Sequence, residues 1–256
     1  MNKFKAVTKV LTVLIPILLL ACILCCAVLF IRGVNTSVFQ KEEKEETPPA
    51  PELQESIDYG EGYLKCIIFI CDKTLVRITD AEASISKDQI WTGPDGTLPL
   101  DRALSTASII RDGITEKSSI PNAISDTKPQ YVIITVGLEN GVSHCSEEKF
   151  KEYYSNLIAK IKNASPDTKI ILQSIFPISA QAEKSFPEIT NKRIDTANKY
   201  IAQLAQENSV RYLNTASALK DQNGKLDPKY DSGDGIILNK EGYIAIAQYM
   251  RTHGYK

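Results

Sequence analysis

Tyr131-Val132-Ile133-Ile134-Thr135-Val136-Gly137-Leu138-Glu139-Asn140 is the stretch on which the fold turns. From Tyr131 to Val136 no residue is charged, and the run ends at a glycine. It is too short for a helix and too continuously apolar for a strand with one wet face. It predicts a strand buried on both faces, which is the setting of a parallel sheet covered by helices.

The pattern repeats outward in both directions. On the C-terminal side, Glu147 to Asn163 places Phe150, Tyr154, Leu157, Ile158 and Ile161 on one stripe, an amphipathic helix that stops before Pro166. Lys169 to Ser174 reads as a second strand, Asn191 to Glu207 as a helix through Ile194, Ala197, Ile201 and Leu204, and Val210 to Leu213 as a third strand. A last helix follows Asn239 through Tyr243, Ile246, Ala247 and Met250. On the N-terminal side, Leu64 to Ile70 is a strand and Gln89 to Thr92 a weaker one. Leu98 to Ile120 fits neither period and carries no assignment, apart from a helix from about Ser119 to Asp126. The expectation is one α/β domain over residues 59–256, with about five parallel strands between two helical layers. A sheet of this kind places its ligand at the carboxyl ends of its strands, so chemistry is sought in the residues just after each one.

Before the domain the composition changes twice. Val10 to Ile31 is a run of 22 uncharged, mostly apolar residues, about 33 Å long as a helix and enough to cross a bilayer core. Lys3, Lys5 and Lys9 precede it, so residues 1–9 are expected in the cytoplasm, 10–31 as a transmembrane signal anchor, and the remainder outside, at the cell membrane. A cleaved signal peptide is disfavoured because the run is too long. Leu19-Leu20-Ala21-Cys22 looks like a lipobox, but Leu20 is atypical there and the apolar run continues nine residues past Cys22. Both alternatives also place the domain outside. Residues 32–58, with Lys41-Glu42-Glu43-Lys44-Glu45-Glu46 and Thr47-Pro48-Pro49-Ala50-Pro51, mix charge and proline and are expected to form a disordered linker.

With Lys3, Lys5, Lys9 and Arg32 set aside, 26 basic residues face 31 acidic ones, so the domain has no global attraction for nucleic acid. Cys66, Cys71 and Cys145 show none of the spacings of a zinc site. No metal or cofactor is expected, and the expected partners are the membrane and a surface or wall glycan.

Four blocks fall where strands end. Phe69-Ile70-Cys71-Asp72-Lys73-Thr74-Leu75 resembles the Gly-Asp-Ser block of the SGNH/GDSL hydrolases, with Cys71 and Lys73 in place of glycine and serine. Val136-Gly137-Leu138-Glu139-Asn140 is similar to the family's Gly-x-Asn-Asp block, with Glu139 read in the variable place and Asn140 as the asparagine. Asp234-Gly235-Ile236-Ile237-Leu238-Asn239 resembles the Asp-x-x-His block, with Ile237 where histidine stands. In Thr92-Gly93-Pro94-Asp95-Gly96, Gly96 matches the lone glycine of the second block and Gly93 is its rival. The resemblance spans about Leu64 to His253 and implies a flavodoxin-like three-layer sandwich.

In that family a serine attacks an acyl carbonyl, a histidine takes its proton and an aspartate orients the histidine. The serine backbone N–H, the glycine N–H and the asparagine amide hold the oxyanion. Carried over, the resemblance places Lys73 at the nucleophile, Gly96 and Asn140 in the oxyanion hole, Asp234 as orienter and Ile237 at the base. An ammonium is no nucleophile at its ordinary pKa and isoleucine accepts no proton. The expectation is therefore a degenerate, catalytically inactive member that binds a ligand or partner through Lys73, Asn140 and Asp234. The alternative is an esterase or acyltransferase for surface carbohydrate with a non-standard nucleophile. Cys71 is the first substitute to consider, and a Cys71–Cys145 disulfide is conceivable. A further expectation is that Lys73 reaches across the vacated triad to Asp234, because a buried carboxylate without its histidine would be costly. Cys66 is expected in the core, and His144 and His253 on the surface.

Overall fold

Five parallel strands form the sheet: β1 (Ile67–Cys71), β2 (Ile90–Trp91), β5 (Tyr131–Thr135), β6 (Lys169–Gln173) and β7 (Arg211–Leu213). Their order across the sheet is β2-β1-β5-β6-β7, so the run that begins at Tyr131 is the central strand. Two further strands, β3 (Ile109–Arg111) and β4 (Ile114–Ser118), make a separate antiparallel hairpin. These come from a computed structural model, which describes residues 51–81, 84–105, 108–112 and 114–255. The expected anchor at 10–31 falls outside the described residues, as does the expected linker up to residue 50.

Alternation along β5 explains the three layers. Val132 and Ile134 point to a core shared with Ile70, Ile170 and Leu172, whereas Tyr131 and Ile133 point to the opposite core with Phe69, Ile171 and Leu213. Every residue of β5 is buried, and each such aliphatic side chain withdrawn from water contributes roughly 1.5–3 kcal/mol. On the first face pack α2 (Ile120–Thr127), α3 (Glu147–Ala164) and α5 (Asn191–Glu207). The second face is covered by α1 (Gly60–Leu64) and α7 (Lys240–Thr252). Two short helices, α4 (Ala180–Ser185) and α6 (Ala216–Leu219), follow β6 and β7.

The helices begin where their caps dictate. Ser146 Oγ accepts from Lys149 N at 3.4 Å to start α3, Thr190 Oγ1 from Arg193 N at 3.3 Å to start α5, and Asn239 Oδ1 from Gly242 N at 2.9 Å to start α7.

Two expectations are corrected, and one unassigned stretch is filled. The first strand begins at Ile67, not Leu64, because Gly60–Leu64 is helical; Cys66 therefore precedes the strand and is exposed. The unassigned stretch holds the β3–β4 hairpin, whose irregular register breaks the alternation that would mark it in sequence. The chain also joins the domain earlier than residue 59. Leu53 N donates to Tyr212 O at 2.8 Å, Tyr212 N to Pro51 O at 2.8 Å, and Arg251 Nε to Asp58 Oδ1 at 2.8 Å.

Candidate functional site

The turn after β1 is built around Asp72. Its Oδ1 accepts from Thr74 N at 3.0 Å and Thr74 Oγ1 at 2.6 Å, and its own N–H donates to Thr135 O at 3.0 Å. The carboxyl also accepts from the backbone N–H of Leu138, which ties the turn after β1 to the turn after β5. Asp72 is 1% exposed. Burial pushes its pKa up to about 6 against the pull of the Thr74 and Leu138 donors, and the nearby Glu139 carboxylate pushes the same way.

This geometry turns Lys73 outward. Its Nζ lies 3.1 Å from Glu139 Oε1. The expected partner, Asp234, is elsewhere: it is exposed, and its Oδ1 accepts from Ile236 N at 2.8 Å and Ile237 N at 2.7 Å. An exposed carboxylate already closing its own turn carries no buried charge for a lysine to neutralise, so the premise for a Lys73–Asp234 bridge fails.

The turn after β5 departs from regular geometry in two places. Gly137 has φ +115°, and a side chain there would meet Ile175 and Phe150 at 3.3 Å. Asn140, at φ +58°, adopts the left-handed conformation that asparagine tolerates better than most residues. Its backbone carbonyl accepts from Cys145 Sγ at 3.0 Å, and its Nδ2 lies 3.4 Å from Asp101 Oδ1. The side chain that faces Lys73 is therefore Glu139. Counted from Gly137, a Gly-x-Asn step ends on Glu139, so the spacing itself carried this signal.

Gly96 sits in the 3₁₀ turn Pro94–Gly96 at φ +75°, where an added Cβ would lie 3.5 Å from Val76 in the segment after β1. Its N–H donates to Gly93 O at 3.1 Å and is already engaged. Gly93 is fixed for another reason, since its Cβ would fall 2.0 Å from the Thr97 carbonyl oxygen.

Ile237 is half-buried at the end of the Asp234 turn. Gly235 in that turn, φ +80°, presses on the N-terminus of α4: a Cβ there would stand 2.2 Å from Ser179 Oγ. The turn is thus seated against the segment after β6, while Lys73 is paired to the turn after β5.

Cys71 is 0% exposed, and burial pushes its thiol well above the ordinary range, with Asp72 adding to the shift. Burial also raises Cys145, and all three cysteines of the domain are free thiols. His144 is exposed with Nδ1 2.5 Å from Ser143 Oγ, and His253 stacks on Tyr249 at 3.7 Å. Trp91 and Tyr243 are core residues, and the Tyr243 hydroxyl donates to Thr74 O at 3.0 Å.

Residues 100–245 match the model of the GDSL-like lipase/acylhydrolase family. Among solved structures, the chain is similar to the periplasmic domain of the lipopolysaccharide acetyltransferase of Salmonella ser. Paratyphi A, at 20% identity and TM-score 0.49 over 79% of this chain and 90% of that one. It is similar to a GDSL-like lipase from Bacteroides thetaiotaomicron VPI-5482, at 16% identity and TM-score 0.48 over 72% and 85%. It is also similar to the Clostridium thermocellum family 3 carbohydrate esterase, at 17% identity and TM-score 0.48 over 73% and 93%. No curated protein matches the sequence.

Proposed function

Because the chain belongs to the GDSL-like lipase/acylhydrolase family, we propose that its domain keeps the family's frame, has lost the hydrolytic chemistry, and serves as a ligand- or partner-binding module. The Lys73–Glu139 pair, 3.1 Å apart, carries this reading. An ammonium stands at the position of the nucleophile, and it is partnered by a carboxylate. A carboxylate supplies only acceptors, so it opposes the oxyanion that an amide donor at this place would stabilise. Ile237 offers nothing that accepts a proton, and the Gly96 N–H is engaged with Gly93. Loss of a triad serine or histidine alone costs on the order of 10⁶ in turnover in a well-studied hydrolase.

The same proposal places the domain outside the cell, held by residues 10–31 as a membrane anchor with residues 1–9 in the cytoplasm. The apolar run and the lysines before it support this orientation. A surface glycan is the proposed ligand class, by analogy with the family alone.

Hydrolysis of p-nitrophenyl acetate by the full chain tests the first part. The expected result is a rate equal to that of buffer. Turnover that disappears in Lys73→Ala or Cys71→Ala would establish the esterase alternative instead. A membrane-impermeant maleimide tests the second part, since the exposed Cys66 should be labelled on intact cells.

A further inference from the structure

Three large apolar side chains stand exposed among the described residues: Ile57 at 71%, Ile244 at 42% and Phe186 at 42%. Two of them stand beside one groove. A depression of about 320 Å³ is lined by Ile244, Ala247, Gln248 and Arg251 of α7, by Ala81 from the segment after β1 and by Asp58. Ile57 is the residue before Asp58, and the residues on either side of it hold the C-terminal end of α7: Ser56 N donates to Thr252 O at 2.7 Å and Arg251 Nε to Asp58 Oδ1 at 2.8 Å. Exposed apolar residues scattered singly need no explanation, but a pair beside one groove marks a contact surface.

The outer stripe of α7 is self-complementary. Tyr243, Ile246 and Met250 turn to the core, which leaves Glu241, Ile244, Gln248 and Arg251 along the outer face, at the three- and four-residue spacings that align side chains on a helix. An acid stands at one end of the stripe, a base at the other and the exposed isoleucine between them. Antiparallel pairing of two such helices about the level of Ile246 sets Glu241 opposite the partner's Arg251 and Ile244 opposite the partner's Gln248, each contact occurring twice. A twofold interface requires this reciprocity, in which one residue meets a second and the second meets the first.

The charged groups are available for such pairing. Glu241 is exposed and forms no ion pair among the described residues. Arg251 holds Asp58 through Nε and Nη2, one edge of the guanidinium, and Nη1 on the other edge is left for a second carboxylate. Glu61, the other acid of the lining, is engaged by the Ser84 hydroxyl. The partner's Ile57, held at the C-terminal end of the partner's α7, comes to the end toward which Ile244 points, because side chains on a helix lean toward its N-terminus.

We infer that α7 pairs antiparallel with α7 of a second copy of this chain, each Ile244 entering the partner's groove beside the partner's Ile57 and each Glu241 pairing with the partner's Arg251. The apolar contacts supply affinity, and the two charge pairs set the register and exclude wrong ones. The surface includes neither Lys73 nor Glu139. A chain that hydrolysed p-nitrophenyl acetate would refute the binding-module reading and leave this inference standing.

The test is the protein mass of the full chain in detergent, read by size exclusion with light scattering, with micelles in excess over protein and their mass subtracted. The expected mass is twice 28.4 kDa. Glu241→Arg and Arg251→Glu should each reduce it to one chain, because like charges then meet twice across the interface. Their equimolar mixture should restore two chains, because each variant brings the charges that the other lacks. Circular dichroism checks the fold of each variant, and Ile244→Glu, at an exposed position, should also give one chain and decides the matter should Arg251→Glu fail to fold. A wild-type chain of single mass overturns the inference and leaves the groove to another occupant. A two-chain mass that survives either reversal or Ile244→Glu overturns it by placing association elsewhere in the chain, and so does a mixture of folded variants that stays at one chain.

Discussion

Lys73 Nζ meets Glu139 Oε1 at 3.1 Å, joining the turn after β1 to the turn after β5. Beneath them Asp72 makes a second link between the same turns through the Leu138 N–H. The outer link is a partly exposed ion pair and the inner one a buried carboxyl, so the two should respond differently to mutation and pH.

The ion pair should matter little for stability. The Lys73 side chain is 44% exposed, and such pairs contribute about 0–1 kcal/mol. Lys73→Ala is expected to lower the unfolding free energy by less than about 1 kcal/mol, read from urea denaturation.

Asp72 should leave a mark on the pH dependence. Its folded pKa of about 6 lies above the ordinary value of 3.8, so between these values the folded chain holds a proton that the unfolded chain has lost. Its contribution to stability is fully present below the lower value and is lost as pH rises through the upper one. The difference corresponds to about 3 kcal/mol. Denaturation between pH 4 and 7.5 should show this loss, and Asp72→Asn should abolish it. Glu139→Gln removes a charge that raises Asp72, so the inflection should move to lower pH.

Rebuilding the chemistry should require three positions. Lys73→Ser with Ile237→His restores a nucleophile and a base but leaves the Glu139 carboxylate against the developing oxyanion. Adding Glu139→Asn should raise p-nitrophenyl acetate turnover by on the order of 10²-fold over the double variant. An equal rate in the two variants would show that Glu139 does not face the reacting carbonyl.

The glycines of the site should separate by what their Cβ would strike. Gly93→Ala sets a carbon 2.0 Å from a backbone oxygen, and Gly235→Ala sets one 2.2 Å from Ser179 Oγ at φ +80°. Each is expected to cost about 2 kcal/mol or more. Gly96→Ala meets only ordinary contact with Val76, leaving the backbone strain of about 1 kcal/mol. Thermal unfolding of the three variants gives the order.

The fold was legible because burial of the central strands imposes continuous apolar runs, and one wet helix face imposes a stripe. Tyr131 to Val136 and the stripes of α3, α5 and α7 carry that information in their own composition. The β3–β4 hairpin was not legible, since its register is broken. For Cys66, a helical turn before β1 replaced the expected strand and left the residue exposed.

At the site, the sequence by itself determined which chemical groups exist: the ammonium of Lys73, the carboxylates of Asp72, Glu139 and Asp234, and the aliphatic side chain of Ile237. Only the tertiary structure decided which of them meet. Asp234 closes its own turn on Ile236 and Ile237, while Asp72 closes its turn on Thr74 and Lys73 pairs with Glu139. Residue identity fixes a group's chemistry, but its partner depends on backbone turns whose hydrogen bonds join segments far apart in the chain.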